Sequence, residues 1–242
     1  MVELPIWAQG LTGKRAVVTG ASRGLGAAIA VTLADAGADV LAVSRTGTAD
    51  DPRITPWCAD VADAAFHTEL AGRDIDILVN NAGMNRPNPI AAMPTADLDA
   101  MLDLNVRAAY LCAQAAVRAM LRHGRGGAIV NMSSQMGHVG SPNRTAYCLT
   151  KHALEGLTKA MAVELAPANI RVNSVAPTFI DTPWTSAMFD DPAFKAFVLG
   201  MIPLGRLGTP ADVAAAVVYL CSPAAAMVTG TSLVVDGGWT AR

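Results

Sequence analysis

The stretch AVVTGASRGLGAAIAVTLADAG, residues 16–37, contains a glycine-rich turn between an apolar run and an amphipathic segment. The first residues of the stretch are apolar or β-branched, which is typical of a buried strand. Leu25, Ile29 and Leu33 then recur at helical spacing. A glycine-rich turn between a strand and a helix lets a pyrophosphate approach the backbone at the positive end of the helix dipole. The stretch therefore predicts the first strand, turn and helix of a dinucleotide-binding fold.

The turn has the spacing Thr-Gly-x-x-x-Gly-x-Gly rather than the commoner Gly-x-Gly-x-x-Gly. In isolation it would also fit an ordinary tight turn, but the strand before it and the helix after it favour cofactor binding. Our candidates for contact with the cofactor here are Gly20, Ser22, Arg23, Gly24, Leu25 and Gly26.

The rest of the chain alternates apolar runs with helical patterns. Further strands are predicted at 40–43, 54–58, 74–80, 128–132, 170–175 and 233–235, and long helices at 97–122, 147–166 and 210–221. Buried runs that alternate with helices indicate a parallel sheet with helices on both faces. We therefore expect one α/β domain over residues 1–242, a doubly wound Rossmann-type fold with a seven-stranded parallel sheet. The link between the second and third strands is too short for a crossover helix, so we expect a loop there.

Composition excludes several other classes of protein. Hydrophobic residues make up 52% of the 242 residues, and no apolar run approaches the ~20 residues of a membrane span. The formal net charge is −2 and the basic residues form no stripe, so we expect neither a nucleic-acid partner nor a membrane partner. The four cysteines, at positions 58, 112, 148 and 221, lack metal-ligand spacing, so we expect no metal site and a reducing, cytoplasmic location.

A second pattern carries the chemistry. Tyr147 precedes Lys151 by four residues, and Ser134 lies thirteen residues before Tyr147. Residues four apart share a helix face, so the phenol and the ammonium should project together. Free tyrosine has a pKa of about 10, and a nearby ammonium would favour the phenolate. Alone, a Tyr-x-x-x-Lys pair is usually a surface pair; beside a glycine turn it predicts proton transfer coupled to nicotinamide chemistry.

In order and spacing these motifs resemble those of the short-chain dehydrogenase/reductase family, along essentially the whole chain. Besides the glycine turn, Ser134, Tyr147 and Lys151, the matching segments are Asp60-Val61, Asn80-Asn81-Ala82-Gly83, Asn105, Pro177, Thr182 and Asp236-Gly237-Gly238. The resemblance implies a nicotinamide-dependent oxidoreductase that acts on a secondary alcohol or a carbonyl. One departure is Thr178, which follows Pro177 where the family usually has glycine.

The resemblance also implies a role for each catalytic residue. Tyr147 would be the general acid or base, and Ser134 would hydrogen-bond the substrate oxygen. Lys151 would lower the pKa of Tyr147 and hold the nicotinamide ribose, and Asn105 would position a water that links Lys151 to solvent. Ser133 is the rival of Ser134, and the family spacing favours Ser134. The remaining cofactor contacts are expected at Asp60 and Val61 near the adenine, at Asn81, Ala82 and Gly83, and at Pro177, Ile180 and Thr182 near the nicotinamide.

The choice of cofactor depends on the residues after the second strand. An acid about twenty residues beyond the glycine turn binds the ribose diol of NAD, whereas an arginine accommodates the 2′-phosphate of NADP. The strand ends in Ser44 and Arg45 with no acid there, and Arg23 stands inside the turn. These residues favour NADP, with NAD possible. In the alternative interpretation both arginines are surface residues that do not bind the cofactor, and the carboxylate of Asp50 or Asp51 binds the ribose.

The sequence identifies the substrate less specifically than it identifies the cofactor. Residues 183–203 are expected to form a mobile lid, and Met136, His138 and Trp184 to line the substrate pocket. This mixture favours a small polar substrate of the sugar or polyol type. A 3-oxoacyl thioester is the alternative, and an enoyl reductase is disfavoured because its tyrosine and lysine are usually further apart. A non-catalytic dinucleotide sensor is an alternative of another class, but it would not need the full catalytic set.

The oligomeric state follows from the resemblance, which implies a homotetramer. Small residues on the helix predicted at 147–166, such as Ala153, Gly156 and Ala160, would suit a flat contact between helices.

Overall fold

The structure is a computed structural model that describes residues 10–241, apart from the side chains of residues 183 and 184. Strands and helices alternate along it. The strands are β1 (Arg15–Thr19), β2 (Asp39–Ser44), β3 (Ile54–Cys58), β4 (Ile77–Asn80), β5 (Gly127–Met132), β6 (Ile170–Pro177) and β7 (Ser232–Val235). The helices are α1 (Gly24–Asp35), α2 (Ala64–Gly72), α3 (Thr95–Leu102), α4 (Ala109–His123), α5 (Thr145–Leu165), α6 (Pro183–Ser186), α7 (Pro192–Met201) and α8 (Pro210–Cys221).

The strands form one parallel sheet in the order β3-β2-β1-β4-β5-β6-β7. The chain runs outward from β1 to β3 and then returns to the other side of β1, so the strand order reverses between β1 and β4. At such a reversal the loops at the carboxyl ends diverge and leave the crevice in which open α/β sheets bind ligands. The predicted seven-stranded parallel sheet is confirmed.

Helices cover both faces of the sheet because consecutive strand residues point in opposite directions. Val18 and Val79 belong to a core cluster that includes residues of α1 and α8. Val17 and Leu78 belong to a second cluster with residues of α2 and α4. Burial on both faces explains why the strands read as continuous apolar runs, and it fixes the strand ends from which the site is built.

Two helical regions differ from the sequence-based prediction. The pattern does not predict α2, in which Phe66 and Leu70 are the buried residues of a nine-residue helix, too few to produce a clear helical period. The helix predicted at 97–122 is divided into α3, a π-helical turn (Asp103–Ala108) and α4. A π-turn inserts one residue into the helix without a compositional signal, and such turns are frequent at functional sites.

Two connections are informative. The link at 45–53 between β2 and β3 contains no helix, as predicted. The segment 183–203 contains α6, a 3-10 turn (Ala187–Asp190) and α7, and its movement as a lid stays a prediction. Within the described range, every helix is too short or too polar to cross a bilayer.

Candidate active site

The glycine turn between β1 and α1 owes its shape to close contacts. Gly20 and Gly24 have left-handed backbones, with φ of +66° and +58°. A Cβ at Gly20 would stand 3.0 Å from Ala82 Cα, and one at Gly26 would overlap the Gly20 carbonyl oxygen. Glycine is therefore required where the turn packs on itself and on the loop after β4. A Cβ at Gly24 would meet nothing within 4 Å, so this part of the turn faces open space.

Asn81 holds the glycine turn in place. Its Nδ2 donates to the Thr19 carbonyl at 2.8 Å and to the Gly20 carbonyl at 3.2 Å. The Thr19 hydroxyl accepts from the backbone nitrogens of Asn81 and Ala82, both at 3.0 Å. The carboxyl ends of β1 and β4 are thus tied together, and the Asn81 side chain supports the turn rather than projecting from it.

Unpaired polar atoms collect at the carboxyl ends of the strands. Among the described residues, five buried side-chain polar atoms have no hydrogen-bond partner. Four of these are Asn85 Oδ1 after β4, Ser133 Oγ and Gln135 Oε1 after β5, and Thr178 Oγ1 after β6. Unpaired buried polar groups are rare and call for a ligand or water. With the open face of Gly24 and the amino end of α1, the atoms of Asn85, Gln135 and Thr178 fit a dinucleotide and a polar substrate along the crevice.

The end of β2 presents a serine and an arginine. The Ser44 hydroxyl is hydrogen-bonded to Thr46 Oγ1 at 3.2 Å and accepts from Gly47 N at 3.1 Å. Arg45 and Arg23 are exposed, and no carboxylate of the described residues lies within 4.0 Å of either guanidinium. Both cations are therefore available to a phosphate.

Asp51, one of the two acids considered for the ribose, is engaged elsewhere. Its Oδ2 lies 2.5 Å from Arg53 Nη2, and its Oδ1 lies 3.0 Å from Arg53 Nε. These hydrogen bonds lower the pKa of Asp51 to about 2. Arg53 also pairs with Asp35 at 2.8 Å. The interpretation that places Asp51 on a ribose diol is therefore disfavoured.

The other predicted cofactor residues also follow strands. After β3, Val61 is buried, and the Asp60 carboxylate accepts from Ala62 N at 2.9 Å. After β4, a Cβ at Gly83 would stand 3.2 Å from Asn105 Oδ1. The loop after β4 therefore joins the cofactor crevice to the helix that carries Asn105.

Ser134 and Tyr147 meet at the end of β5. Ser134 caps a 3-10 turn (Gln135–Gly137), and its Oγ accepts from Met136 N at 3.2 Å. Tyr147 lies in the first turn of α5, and the Ser134 side chain is near enough to affect the pKa of its phenol. Burial raises the pKa of Tyr147 to about 12, and the Ser134 side chain acts in the opposite direction. The phenol is therefore protonated at neutral pH in this geometry.

Ser133, the rival serine, points elsewhere. A Cβ added at Gly137 would stand 2.7 Å from Ser133 Oγ, which places this hydroxyl beneath the 3-10 turn. Of the two serines, Ser134 is the one whose side chain acts on the pKa of Tyr147, and its catalytic role stays a prediction.

Lys151 is buried one helical turn after Tyr147. Its Nζ donates to the Met132 carbonyl at 2.7 Å and lies 5.5 Å from the centroid of the Tyr147 ring. Burial lowers the pKa of Lys151 to about 8, and the charge of Glu155 acts in the opposite direction. The groups that lower the Tyr147 pKa are Ser134 and Arg144. The shared helix face is present, and the predicted effect of Lys151 on the pKa of the phenol stays a prediction.

Asn105 is fixed by the backbone of Met84. Its Oδ1 accepts from Met84 N at 2.8 Å, and its Nδ2 donates to Met84 O at 2.8 Å and to Thr150 Oγ1 at 3.2 Å. The residue lies in the π-helical turn and is 1% exposed. Its side chain therefore joins this turn to α5 and to the loop after β4.

His138, predicted in the substrate pocket, is engaged with β7. Its Nε2 lies 2.8 Å from Ser232 Oγ and 3.5 Å from Glu155 Oε1. Glu155 is buried on α5 one turn after Lys151, and it accepts from Ser174 Oγ at 2.8 Å and Ser232 Oγ at 3.1 Å. This network fastens α5 to β6 and β7. Sequence reasoning misses Glu155, although its position four residues after Lys151 is a usable signal.

The segment after β6 shows no backbone strain. Thr178 has no left-handed φ, so threonine fits where the family usually has glycine. Its backbone nitrogen donates to the Val235 carbonyl at 3.2 Å. Ile180 is buried, and Thr182 caps α6 through Thr185 N at 3.3 Å. Pro177, which ends β6, accepts weakly from Ser134 Oγ at 3.5 Å.

The predicted lid is fastened by aromatic contacts. The ring centroid of Phe179 lies 6.0 Å from Phe189, 5.7 Å from Phe194 and 5.8 Å from Trp239. The Trp184 side chain, predicted in the pocket, lies outside the described part of the structure. Met136 is buried in the turn after Ser134. Within residues 10–241, no group of three or more histidines, cysteines and acids could hold a metal ion.

Comparison with known proteins agrees with this geometry. The profile of a family described as enoyl-(acyl carrier protein) reductase matches residues 20–240. L-xylulose reductase of Bos taurus is 41% identical over 239 residues, which cover 96% of this chain and 98% of that protein. The chain belongs to the short-chain dehydrogenase/reductase family. The resemblance predicted from the motifs is thereby confirmed.

Solved structures of this family are closely similar. One is an Agrobacterium tumefaciens protein described as a 2-deoxy-D-gluconate 3-dehydrogenase with bound NADP, with TM-score 0.92, 39% identity and coverage of 97% of this chain and 99% of that one. Another is a gluconate 5-dehydrogenase from Burkholderia cenocepacia J2315 in complex with NADP and tartrate, with TM-score 0.90, 33% identity and coverage of 98% of each chain.

Proposed function

We propose that the protein is an NADP-dependent oxidoreductase that interconverts a secondary alcohol and a carbonyl on a small polar substrate of the sugar or polyol type. The observation that carries this proposal is that Tyr147 in the first turn of α5, Ser134 at the end of β5 and the buried Lys151 one helical turn further on lie at one end of the sheet, where the Ser134 side chain acts to lower the pKa of Tyr147. The names of the family relatives, an L-xylulose reductase and two gluconate dehydrogenases, support the substrate class.

The bound nicotinamide would donate or accept the hydride. The glycine turn and the amino end of α1 would hold the pyrophosphate. Arg23, Ser44 and Arg45 would hold the 2′-phosphate, because both guanidinium groups lack acidic partners among the described residues. Asp60 and Val61 would contact the adenine, and the segment after β6 would contact the nicotinamide. NADP in both solved relatives supports this choice of cofactor.

Tyr147 would transfer the proton. In reduction its hydroxyl donates a proton to the carbonyl oxygen, which Ser134 Oγ holds by a hydrogen bond. In oxidation the phenolate accepts the proton of the alcohol. Because burial raises the pKa of Tyr147 to about 12, the acid form prevails at neutral pH.

Lys151 and Asn105 would resupply that proton. Lys151, whose pKa is lowered to about 8, can release and regain a proton near neutral pH. The Asn105 side chain is already engaged with Met84 and Thr150. We therefore assign the predicted contact to a bridging water to the main-chain carbonyl of Asn105, since a π-turn interrupts the regular helical hydrogen bonds.

A polar substrate also suits the unpaired groups at the carboxyl ends of β4 and β5. Gln135 Oε1 and Asn85 Oδ1 are buried acceptors without partners in the described structure, and substrate hydroxyls would satisfy them. The 3-oxoacyl thioester alternative is weaker, because the relatives named above are reductases and dehydrogenases of sugars and sugar acids. The four-residue spacing of Tyr147 and Lys151 argues against enoyl reduction despite the description of the matching profile.

Steady-state rates test this function. Ketoses, polyols, aldonates, simple ketones and a 3-oxoacyl thioester would each be offered with NADP(H) and with NAD(H), while the absorbance of the reduced nicotinamide is followed. We expect the highest kcat/KM for a sugar-type compound with NADP(H). Preferential reduction of the thioester would contradict the proposed substrate class. Absence of turnover with every compound would support the alternative that the protein is a non-catalytic dinucleotide sensor.

We further propose a cytoplasmic homotetramer. The outward faces of α4 and α5 carry exposed apolar residues, namely Tyr110, Leu121, Leu149 and Val163, the last of which is 82% exposed. Such a surface favours association with a second copy. The four free cysteines of the described chain suit a reducing compartment. A monomeric mass by light scattering at micromolar concentration would refute the tetramer.

A further inference from the structure

Arg144, three residues before Tyr147 at the start of α5, carries a guanidinium that is almost without partners. Among the described residues, its hydrogen bond is from Nη1 to the adjacent Asn143 carbonyl at 3.3 Å. No described carboxylate lies within 4.0 Å of it. A guanidinium has five N–H donors, so most of its hydrogen-bonding capacity is left for a ligand.

The lack of partners matters because Arg144 is partly buried, and burial lowers its pKa. Charged groups removed from water are normally paired or hydrogen-bonded. Arg171 shows the usual arrangement: it is also partly buried, but it donates to the carbonyls of Leu220, Ser222 and Val228. Arg144 has no comparable set of acceptors in the described structure.

Arg144 also lies beside the reaction centre. It is the N-cap residue of α5, and its charge acts to lower the pKa of Tyr147. Asn143 has a left-handed φ of +59°, and its carbonyl accepts from Asn88 N at 3.1 Å, which fixes this segment against the loop after β4. Arg144 is the N-cap and Tyr147 the third helical residue, two positions that lie within reach of each other in the first turn of a helix. An anion bound to Arg144 would therefore lie within a few carbons of the atom that reacts at Tyr147.

We infer that Arg144 binds a carboxylate of the substrate, and that the preferred substrates are polyhydroxy acids of the aldonate or ketoaldonate type rather than neutral sugars. This inference rests on the proposed function. One planar guanidinium matches one carboxylate through two parallel hydrogen bonds. A phosphate dianion would call for a second cation, and Arg86 in the loop after β4 is already paired with Asp97.

The test compares several aldonates, each with the alditol of the same configuration, as substrates for oxidation with NADP. The enzymes are the parent, Arg144→Met, Arg144→Lys and the control Arg86→Met. We expect the parent to prefer the aldonates. Arg144→Met should lower the ratio of kcat/KM for acid over alditol by at least about tenfold, mainly through KM, because a charge-assisted hydrogen bond is lost. Arg144→Lys should restore part of the ratio, and Arg86→Met should leave it within about twofold, as for an exposed ion pair.

The outcomes separate this inference from the proposed function. Turnover of alditols as well as aldonates, with the ratio unchanged in Arg144→Met, would overturn the role of Arg144 and leave the function standing. If neither class is turned over and the ketoses are not reduced either, the proposed function fails; whenever the aldonates are not turned over, calorimetric titration of the aldonates into the NADP-loaded protein decides the role of Arg144. Binding that Arg144→Met abolishes supports the carboxylate site, and absence of binding overturns it. A preference for sugar phosphates over aldonates overturns it as well.

Discussion

The two ends of the crevice are built differently. At the reaction end the functional side chains are buried and hydrogen-bonded to the fold, as are Asn105 and Lys151. At the ribose end Arg23 and Arg45 are exposed and free of acidic partners among the described residues. A buried group acts through its position, whereas an exposed cation acts through a charge that water and salt screen. Substitutions should therefore have large effects at the first end and smaller, salt-dependent effects at the second.

The largest effect is expected for Tyr147→Phe. This change removes the transferable proton and keeps the ring, so kcat should fall by about 10²–10⁴-fold, the range for general acid–base catalysis. The dissociation constant of NADP, measured by fluorescence titration, should change little. Near-normal turnover in the variant would contradict the role of Tyr147 and leave the reaction end without its proton donor.

The pH dependence of kcat tests the same residue at the reaction end. Since burial raises the pKa of Tyr147 to about 12, the phenolate fraction should grow about tenfold per pH unit over the neutral and mildly alkaline range. Oxidation needs the phenolate, so its kcat should rise with pH, whereas reduction uses the protonated form and should be nearly level at neutral pH. The check is the initial rate in both directions at saturating substrate. A plateau of the oxidation rate near neutral pH would show that the phenol is more acidic than its burial implies.

The residues that the sequence predicts well belong to motifs within one element or one turn. Gly20 and Gly26 are required by local backbone shape, and Tyr147 and Lys151 share one face of α5. The shape of a turn and the shared face of a helix depend on the spacing of residues along the chain, and this spacing can be taken directly from the sequence. The parallel sheet is predictable for the same reason, because burial on both faces produces apolar runs.

The features that the sequence does not predict depend on contacts between distant segments. Glu155 is held by Ser174 and Ser232, and His138 reaches the same network across β7. No pattern along the chain shows that His138 will hydrogen-bond to a residue of β7 about ninety residues away, and its place in the substrate pocket stays a prediction. The free guanidinium of Arg144 is likewise visible only once the partners of the other charged groups are known.

At the ribose end, Arg45→Asp should lower the preference for NADP over NAD by at least roughly tenfold, since ~1.4 kcal/mol corresponds to that factor. The new carboxylate repels the 2′-phosphate and offers an acceptor to a ribose diol. Arg23→Ala should weaken NADP binding and barely change NAD binding. The measurement is kcat/KM for both cofactors, with Arg45→Lys as the control that keeps the charge. A parent enzyme that already prefers NAD would show that both arginines are surface residues.

Added salt should change KM for NADP by a smaller, several-fold factor and so distinguish the ribose end from the reaction end. Screening of the exposed arginines at high ionic strength should raise KM for NADP, while kcat at saturating cofactor stays nearly constant because the reaction end is buried. In Arg45→Asp the salt dependence of KM should be reduced. Equal salt dependence of KM for NADP and NAD in the parent would argue against a phosphate site at these arginines.

The smallest effect concerns stability and runs opposite to activity. A lysine whose folded-state pKa lies near 8, below its ordinary 10.5, binds fewer protons when folded. Its burial therefore costs stability below pH ~8, and the cost disappears as pH rises through the ordinary pKa. Lys151→Met should abolish turnover but raise Tm at neutral pH by a few degrees, at about 2–4 °C per kcal/mol for a chain of this size. The gain over the parent should vanish at strongly alkaline pH, and Tyr147→Phe, which retains Lys151, should not show it. A lower Tm for Lys151→Met at neutral pH would contradict this prediction. It would mean that the hydrogen bond from Nζ to the Met132 carbonyl contributes more free energy than the desolvation of the ammonium costs. The buried ammonium would then stabilise the folded protein.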